Sequence, residues 1–444
     1  MKKSIREKDI ALLWESRSLP VMEADSGVRV QVLYPGRDSV RKGCDFQDAI
    51  LIIDDKKVHG DVEIHVSSDL WHSHGHHRDP SYNTIILHVA MWEGGGLPAT
   101  AQNGAVIPTV ILGRYLSQHT CNPVSRKKMR QTCGYISSGY NERVIHQTLQ
   151  RAGVERFQQK VNKFKLELCR GDPEQVLYSH IARALGYARN TVPFERTAQK
   201  LPLGGIRELL QEDVLTLRAC LFGVAGLLPS QRSGNASFFT DEEIDTLERR
   251  WSARTDMLRQ LQSSEWCFHG IRPGNHPSRR LAALSILLQR YFYSGLSEGL
   301  LELLGCGSPV RAGLQIENGL IIEAGGYWGR HYDFGVCSDI CSALLGRGKA
   351  AEIAVNVVLP YFASLALENR DISLICRVID IYSEYHSLSE NEITRYMRSM
   401  LSLDQPGRLS ACRQQGLLHL YHKYCRLKDC SRCPMAIIPK RVRV

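Results

Sequence analysis

Ionisable and β-branched residues alternate along Gly60-Asp-Val-Glu-Ile-His-Val66. Side chains of an extended chain point alternately to opposite faces, so Asp61, Glu63 and His65 share one face while Val62, Ile64 and Val66 pack on the other. A second acid, Asp45, opens the preceding apolar run, and the intervening Asp54-Asp55-Lys56-Lys57 reads as the turn of a hairpin. That pairing places Asp45 near Glu63. Two converging carboxylates hold Mg²⁺ or Mn²⁺ with waters left on the ion, and such an ion generates a nucleophilic hydroxide and neutralises phosphate charge. An antiparallel sheet with one solvated face carries the same residue types, so the hairpin alone does not single out this chemistry.

The next segment adds weight. His72, His74, His76, His77 and Asp79 fall within eight residues, and His88 follows on the next apolar run. With His65 they offer enough imidazole and carboxylate to complete a transition-metal site, although the adjacent His76 and His77 cannot easily point the same way. Two further clusters stand apart. Cys425, Cys430 and Cys433, the last followed by Pro434, form a Cys-x4-Cys-x2-Cys-Pro array suited to an Fe–S cluster or to zinc. Cys133 is the preferred fourth ligand, because it would tie the chain ends together, and Cys412 is the alternative. Around a Pro-constrained turn that opens a helix, Arg272, Asn275, Arg279 and Arg280 make a phosphate site or a set of structural bridges, with neither reading favoured.

The elements that must position these residues change character along the chain. Val28–Leu33, Ala49–Ile53, Val58–Val66 and Thr84–Val89 are short β-branched runs, hence strands. From Glu142 the spacing turns helical, as over Glu142–Ala152, Glu174–Leu185 and Asp213–Leu228, with loops marked by Pro193, Pro202-Leu-Gly-Gly205 and Pro229. Gly305–Gly335 reads as partly strand-like. The expectation is an α+β chain: a β-rich module over 1–135, a helical domain over 136–300, a mixed, mainly helical domain over 301–404 and a basic cysteine cap over 405–444.

With 444 residues, 43% hydrophobic and 23% charged, the chain is long enough for several cores and ordinary in composition. Its charge is +10, and nine Lys or Arg against one acid from Gln405 onward account for +8 of it. Nucleic acid is the natural polyanion for such a segment, a solvated tail being the plainer alternative. No run approaches eighteen uncharged apolar residues and the N-terminus is charged, so a cytoplasmic protein without membrane association is expected, with free rather than disulfide-bonded thiols. Phosphate-loop, dinucleotide-binding, Gly-x-Ser-x-Gly and His-Glu-x-x-His motifs are absent, which removes support for ATPase, hydride-transfer and α/β-hydrolase chemistry.

Two resemblances sharpen this reading. An acid, a hairpin and then Glu-x-His resembles the PD-(D/E)xK nuclease core, with Cys44 where that pattern often has Pro and His65 in place of its Lys. The run from Gly60 to Val89, together with Ala184–Asn190, Phe222–Leu228, Gly270–Arg280, Asn356–Pro360 and the terminal cysteines, resembles the bacterial family known as domain of unknown function 2851. That family brings no established activity. The nuclease resemblance implies a restriction-endonuclease-like module acting on or binding nucleic acid, with Asp45 and Glu63 on Mg²⁺ or Mn²⁺, His65 positioning or activating water, and His74, Asp79 or His88 as further ligands or general acid. A cysteine staple is similar to that of Fe–S nucleases, which place their lone cysteine before the nuclease motifs rather than after the hairpin. The alternatives are a non-catalytic nucleic-acid-binding scaffold with a degenerate nuclease fold, and a small-molecule hydrolase with metal on His65, His74 and His76.

Overall fold

The computed structural model describes residues 5–15, 20–38, 44–115, 133, 142–232, 241–255, 258–268, 271–337, 343–403, 409–427 and 429–437. They form an α+β protein of two compact units, one of 1–145, 396–404 and 418–444, the other of 146–395 and 405–417.

The first unit is built on a mixed sheet. Its elements are α1 (Glu7–Glu15), β1 (Met22–Glu23), β2 (Arg29–Tyr34), β3 (Arg37–Asp38), β4 (Phe46–Ile53), β5 (Lys56–Ser67), α2 (Leu70–Ser73), β6 (Ile85–Trp92) and β7 (Thr109–Ile111). The strands run in the order β1-β2-β4-β5-β6-β7, with β3 pairing off the path against β4. A bridge from Ala24 to Val110 links the two ends, so the sheet nearly closes. The β4–β5 hairpin turns at Asp54 and Asp55, both at positive φ (46° and 62°), the backbone of a two-residue hairpin turn that Asp tolerates.

β5 pairs in parallel with β6, and β6 with β7, so Glu63 lies opposite His88 and His88 opposite Thr109. Paired residues share a face, and this ladder fixes the site before any side-chain contact is considered. On the other face Val62 and Ile64 join Phe46, Leu51, Leu87 and Val89 in a core that also takes Ile10 and Trp14 of α1. Trp14 is pinned there by its indole N–H, which donates to Pro35 O at 2.9 Å. The face carrying Glu63 and His65 is not the solvated one that simple alternation suggests. Glu63 is 6% and His65 1% exposed, because α2 and the loop after it fold back over the sheet and place Trp71, fully buried, on this side.

The second unit is mainly helical: α3 (Glu142–Leu168, its first four residues in the β unit), α4 (Pro173–Leu185), α5 (Thr191–Lys200), α6 (Leu203–Glu212), α7 (Val214–Ala225), α8 (Glu242–Ser252), α9 (Pro277–Arg290), α10 (Leu296–Leu304), α11 (Pro309–Leu320), α12 (Gly326–Arg330), a ribbon of β8 (His331–Asp333) and β9 (Val336–Cys337), α13 (Arg347–Ile353), α14 (Leu359–Glu368) and α15 (Ile372–Glu384). α16 (Glu392–Met400) and α17 (Ala411–Leu420) follow. Leu203-Gly-Gly205 and Pro193, expected as loop marks, and most of the stretch expected as partly strand-like are helical, Leu203 opening α6 behind Pro202. Pro193 falls in the first turn of α5, where a missing N–H costs nothing. Most of Gly305–Gly335 is helix, and Gly313 in α11 is needed for packing, since a Cβ there would meet the Tyr385 ring at 3.1 Å. Val214–Gln231 and Arg347–Glu368 are long and apolar enough to cross a membrane, and each is 78% buried within the structure.

Candidate metal centre

His65 comes from β5, while His74 and His76 flank Gly75 just after α2. Gly75 takes φ +76°, and nothing lies within 4 Å of where its Cβ would be, so glycine serves the backbone conformation rather than packing. That left-handed residue turns the chain so that both neighbouring imidazoles reach His65. His65 Nε2 is 3.1 Å from His74 Nδ1 and 3.2 Å from His76 Nε2, and one ligand atom from each of the three lies within 4.8 Å of the others. Two nitrogens on one tetrahedral zinc stand about 3.3 Å apart, given Zn–N bonds of about 2.0–2.1 Å. A neutral imidazole has one N–H and one lone pair, so His65 Nε2 cannot satisfy both neighbours by hydrogen bonding, whereas a cation between them takes all three lone pairs.

Behind the trio the strand ladder supplies support. His65 Nδ1 is 3.0 Å from His88 Nε2, and His88 Nδ1 is 3.3 Å from Thr109 Oγ1. A chain of this kind sets the tautomer of a metal-binding imidazole from its far side. Trp71 packs its ring 5.3 Å from His76 and 5.2 Å from His88 and donates its indole N–H to Thr100 O at 2.9 Å. Tyr82 lies 3.9 Å, ring to ring, from His76.

Burial and neighbouring groups keep His65, His76 and His88 neutral. Burial first, then the neighbouring His88, His76 and His74, lowers His65 to about 2. Burial and His74 lower His76 to about 4, and burial and His76 lower His88 to about 3. Glu63 moves the other way, raised to about 9 by burial and then by Asp45, with a smaller push from Glu7 of α1. Its Oε1 is 3.5 Å from His76 Nε2 and 4.0 Å from His65 Nε2. Its Oε2 accepts the Asp45 N–H at 3.0 Å, while Asp45 Oδ2 accepts the Ile64 N–H at 2.9 Å. The two carboxylates therefore do meet across the hairpin.

Asp79 holds the 3₁₀ turn at Pro80–Tyr82 by accepting the Ser81 N–H at 2.8 Å. Asp61 accepts from Asp48 N at 3.1 Å and Thr84 Oγ1 at 2.7 Å. Of the outlying clusters, Arg279 and Arg280 are 1% and 5% exposed. Arg279 donates to the carbonyls of Trp328 (2.8 Å) and His331 (2.9 Å), and Arg280 to the Leu344 carbonyl, Tyr187 Oη (2.8 Å) and Asn275 Oδ1 (2.7 Å). These arginines bridge elements of the helical unit, Asn275 among their acceptors, and only Arg272 of the four is exposed.

Cys133 is anchored by its N–H to Met400 O at 2.8 Å, and the Cys433 N–H closes a turn on Cys430 O at 3.2 Å. Burial, reinforced by Cys133 and Cys430, pushes the Cys433 thiol up. Among the described residues no three cysteines reach the mutual spacing that the histidines do. Cys412 lies in the core of the helical unit with Sγ 3.6 Å from Gln150 O.

The strand alternation and the histidine run pointed to His65, His74 and His76. Trp71, Tyr82, Thr109 and Glu7 went unassigned. The first two have a sequence signal in their position beside the histidines; Thr109 and Glu7 join the site only through strand pairing and the docking of α1.

No curated protein and no solved structure matches the chain, and no similarity to a known nuclease supports the PD-(D/E)xK resemblance. The family model described as "Protein of unknown function (DUF2851)" matches residues 7–391. The chain belongs to that family.

Proposed function

We propose that the β unit is a metal-dependent hydrolase of phosphodiesters, with nucleic acid as its substrate class and His65, His74 and His76 as ligands of a divalent transition metal. The observation that carries this reading is the convergence of three imidazole nitrogens beside a buried carboxylate, Glu63. Imidazole ligands favour zinc or iron over magnesium and manganese, which moves the metal from the Asp45–Glu63 pair to the histidines. Bound there, the metal supplies a Lewis acid and an activated water. With a cation on the histidines favouring its ionised form, Glu63 would serve as the base for that water's proton, and Asp45 holds Glu63 through its backbone N–H. Attack by that water would form the new P–O bond and break the ester P–O bond, and the leaving oxygen would take a proton from solvent on the exposed His74 side. His88 and Thr109 orient His65.

Nucleic acid as the substrate class is supported by the basic C-terminal segment, of which 418–444 belong to the same unit as the sheet. Arg426 lies 3.5 Å from Asp48 of β4, and Tyr421 Oη 3.4 Å from Tyr34 Oη of β2. The restriction-endonuclease-like reading of the hairpin belongs to this proposal and is consistent with an acid pair on adjacent strands.

Cleavage of single- or double-stranded DNA or RNA by the zinc- or iron-loaded protein tests it. Glu63→Gln should lower the rate on the order of 10³-fold with the metal retained, as expected for loss of a general base. Cleavage that survives the substitution, or a loaded protein that cleaves none of these polymers, refutes it.

A second metal belongs to the same proposal. Cys425, Cys430 and Cys433 with Cys133 would hold zinc or an Fe–S cluster, a reading supported by their spacing and by the turn that joins Cys430 to Cys433; Cys412, committed to the helical core, is the weaker fourth ligand. Cys430→Ser should release this metal from anaerobically purified protein and expose the C-terminal segment to protease. An anaerobic preparation with no metal beyond that of the histidine site defeats this part.

A further inference from the structure

The helical unit contains a cleft of about 770 Å³ that the chemistry above does not use. Its volume suits a small molecule rather than a polymer. Arg347, His386 and Arg413 line it, with the hydroxyls of Ser383, Ser387 and Ser410 between them and Val310 and Leu314 on one wall.

Beneath these residues lies a carboxylate that packing alone does not explain. Glu317 of α11 is 0% exposed, and a buried charge is costly unless partners hold it. Tyr385 Oη donates to its Oε1 at 2.8 Å, His386 Nε2 bonds the same oxygen, and Arg347 Nε stands 3.3 Å from Oε2. Both partners reach solvent, the side chains of Arg347 and His386 being 65% and 42% exposed. Glu317 thus fixes both side chains at the mouth of the cleft from below. The 385–388 segment is itself tied down: Ala411 N–H donates to Tyr385 O at 3.0 Å, and Gln414 bonds both the N–H (2.7 Å) and the C=O (3.0 Å) of Leu388. Beside Gln414 comes Arg413, whose Nη1 is 3.1 Å from His146 Nδ1 and whose buried Nε has no hydrogen-bond partner among the described residues.

We propose that this cleft binds a small organic phosphate monoester, its phosphate between Arg347 and Arg413 and its apolar body against Val310 and Leu314, while His386, its Nε2 taken by Glu317 and its Nδ1 by Ser387 O at 3.0 Å, forms part of the wall. A phosphate, with three acceptor oxygens and up to two charges, uses two guanidiniums and three hydroxyls more fully than a carboxylate does. Glu384 also lines the cleft and disfavours a second anionic group on the same guest. Glu317 is a positioning residue that acts through Arg347.

Calorimetric titration of the metal-free full-length chain with phenyl phosphate, inorganic phosphate and benzoate tests the assignment. Phenyl phosphate should bind more tightly than inorganic phosphate, through its ring, and more tightly than benzoate, through its head group. Arg347→Gln keeps an amide donor in place of the guanidinium beside Glu317, its fold is checked by thermal unfolding, and it should weaken phenyl phosphate about ten- to a hundredfold, the range for a lost hydrogen bond to a charged group. His65→Ala should leave the affinity unchanged. Absence of binding at millimolar phenyl phosphate, equal affinity in Arg347→Gln, or loss of binding in His65→Ala would each overturn the proposal, the last by assigning the phosphate to the β unit.

Discussion

Replacing His74 with alanine should weaken zinc binding by about 10²- to 10³-fold while leaving the metal-free fold intact. His74 is exposed, and its contacts are to the imidazoles of His65 and His76 rather than to the core, so the metal-free stability should change by no more than about 0.5 kcal/mol. The affinity loss follows from the ligand count. Four-ligand structural zinc sites are worth about 10–16 kcal/mol, or about 3–4 kcal/mol per ligand, and each 1.4 kcal/mol is tenfold. Linkage then amplifies the readout. At zinc 100 times the wild-type Kd the native state gains about 2.7 kcal/mol; a variant with Kd raised about 300-fold gains only about 0.2 kcal/mol at the same concentration. Competition with a chromophoric chelator gives the affinity and thermal unfolding with and without zinc gives the linkage. His77→Ala is the control, since His77 lies outside the trio and packs instead beside His72, ring centroids 4.7 Å apart. Zinc binding and zinc-dependent stabilisation that are equal in His74→Ala and wild type would refute the reasoning.

Trp71→Ala removes a fully buried ring and its hydrogen bond to Thr100 O, and should destabilise the β unit by about 3–5 kcal/mol in urea unfolding. A pH-dependent effect is expected at Asp333 of the helical unit. Burial alone would raise its carboxyl, but Arg232, His276 and the hydrogen bonds from Arg232 and Ser278 hold it below the ordinary carboxylate range. A depressed folded-state pKa contributes stability above the unfolded value of about 3.9, and that contribution is lost as pH falls through the folded value. Asp333→Asn should therefore be less stable than wild type by about 3–5 kcal/mol at pH 6, with the gap narrowing below about pH 4 in urea titrations; a gap that widens in acid would contradict the assignment.

Much of the β unit was legible because its signals are local. Period-two alternation placed Val62 and Ile64 on the core face and Glu63 and His65 opposite, and the Asp54-Asp55 turn fixed the hairpin register as far as Ala49, beyond which a bulge shifts it by one residue. What the sequence could not convey was the second cover: α2 and its loop bury the face that alternation leaves to solvent, and this makes Glu63 and His65 a site rather than a pair of solvated side chains. Thr109 was hidden for a related reason, since parallel pairing of β6 with β7 joins residues 21 positions apart and leaves no periodic trace. Among the helices, Glu174–Leu185 was readable from its spacing, whereas the glycines of α11 suggested a strand-like stretch because what they pack on, the Tyr385 ring at Gly313 and Leu303 with Tyr291 at Gly319, lies elsewhere in the chain. The arginines of the Pro277 helix left phosphate and structural roles open on sequence, and it is the carbonyls of Trp328, His331 and Leu344 that occupy Arg279 and Arg280.

Anomalous diffraction at the zinc edge, from crystals of the full chain grown with zinc, tests the metal centre most directly. The account predicts a peak about 2.0–2.1 Å from each of His65 Nε2, His74 Nδ1 and His76 Nε2, with Glu63 beside it. Saturating zinc with no peak among those three nitrogens would contradict it.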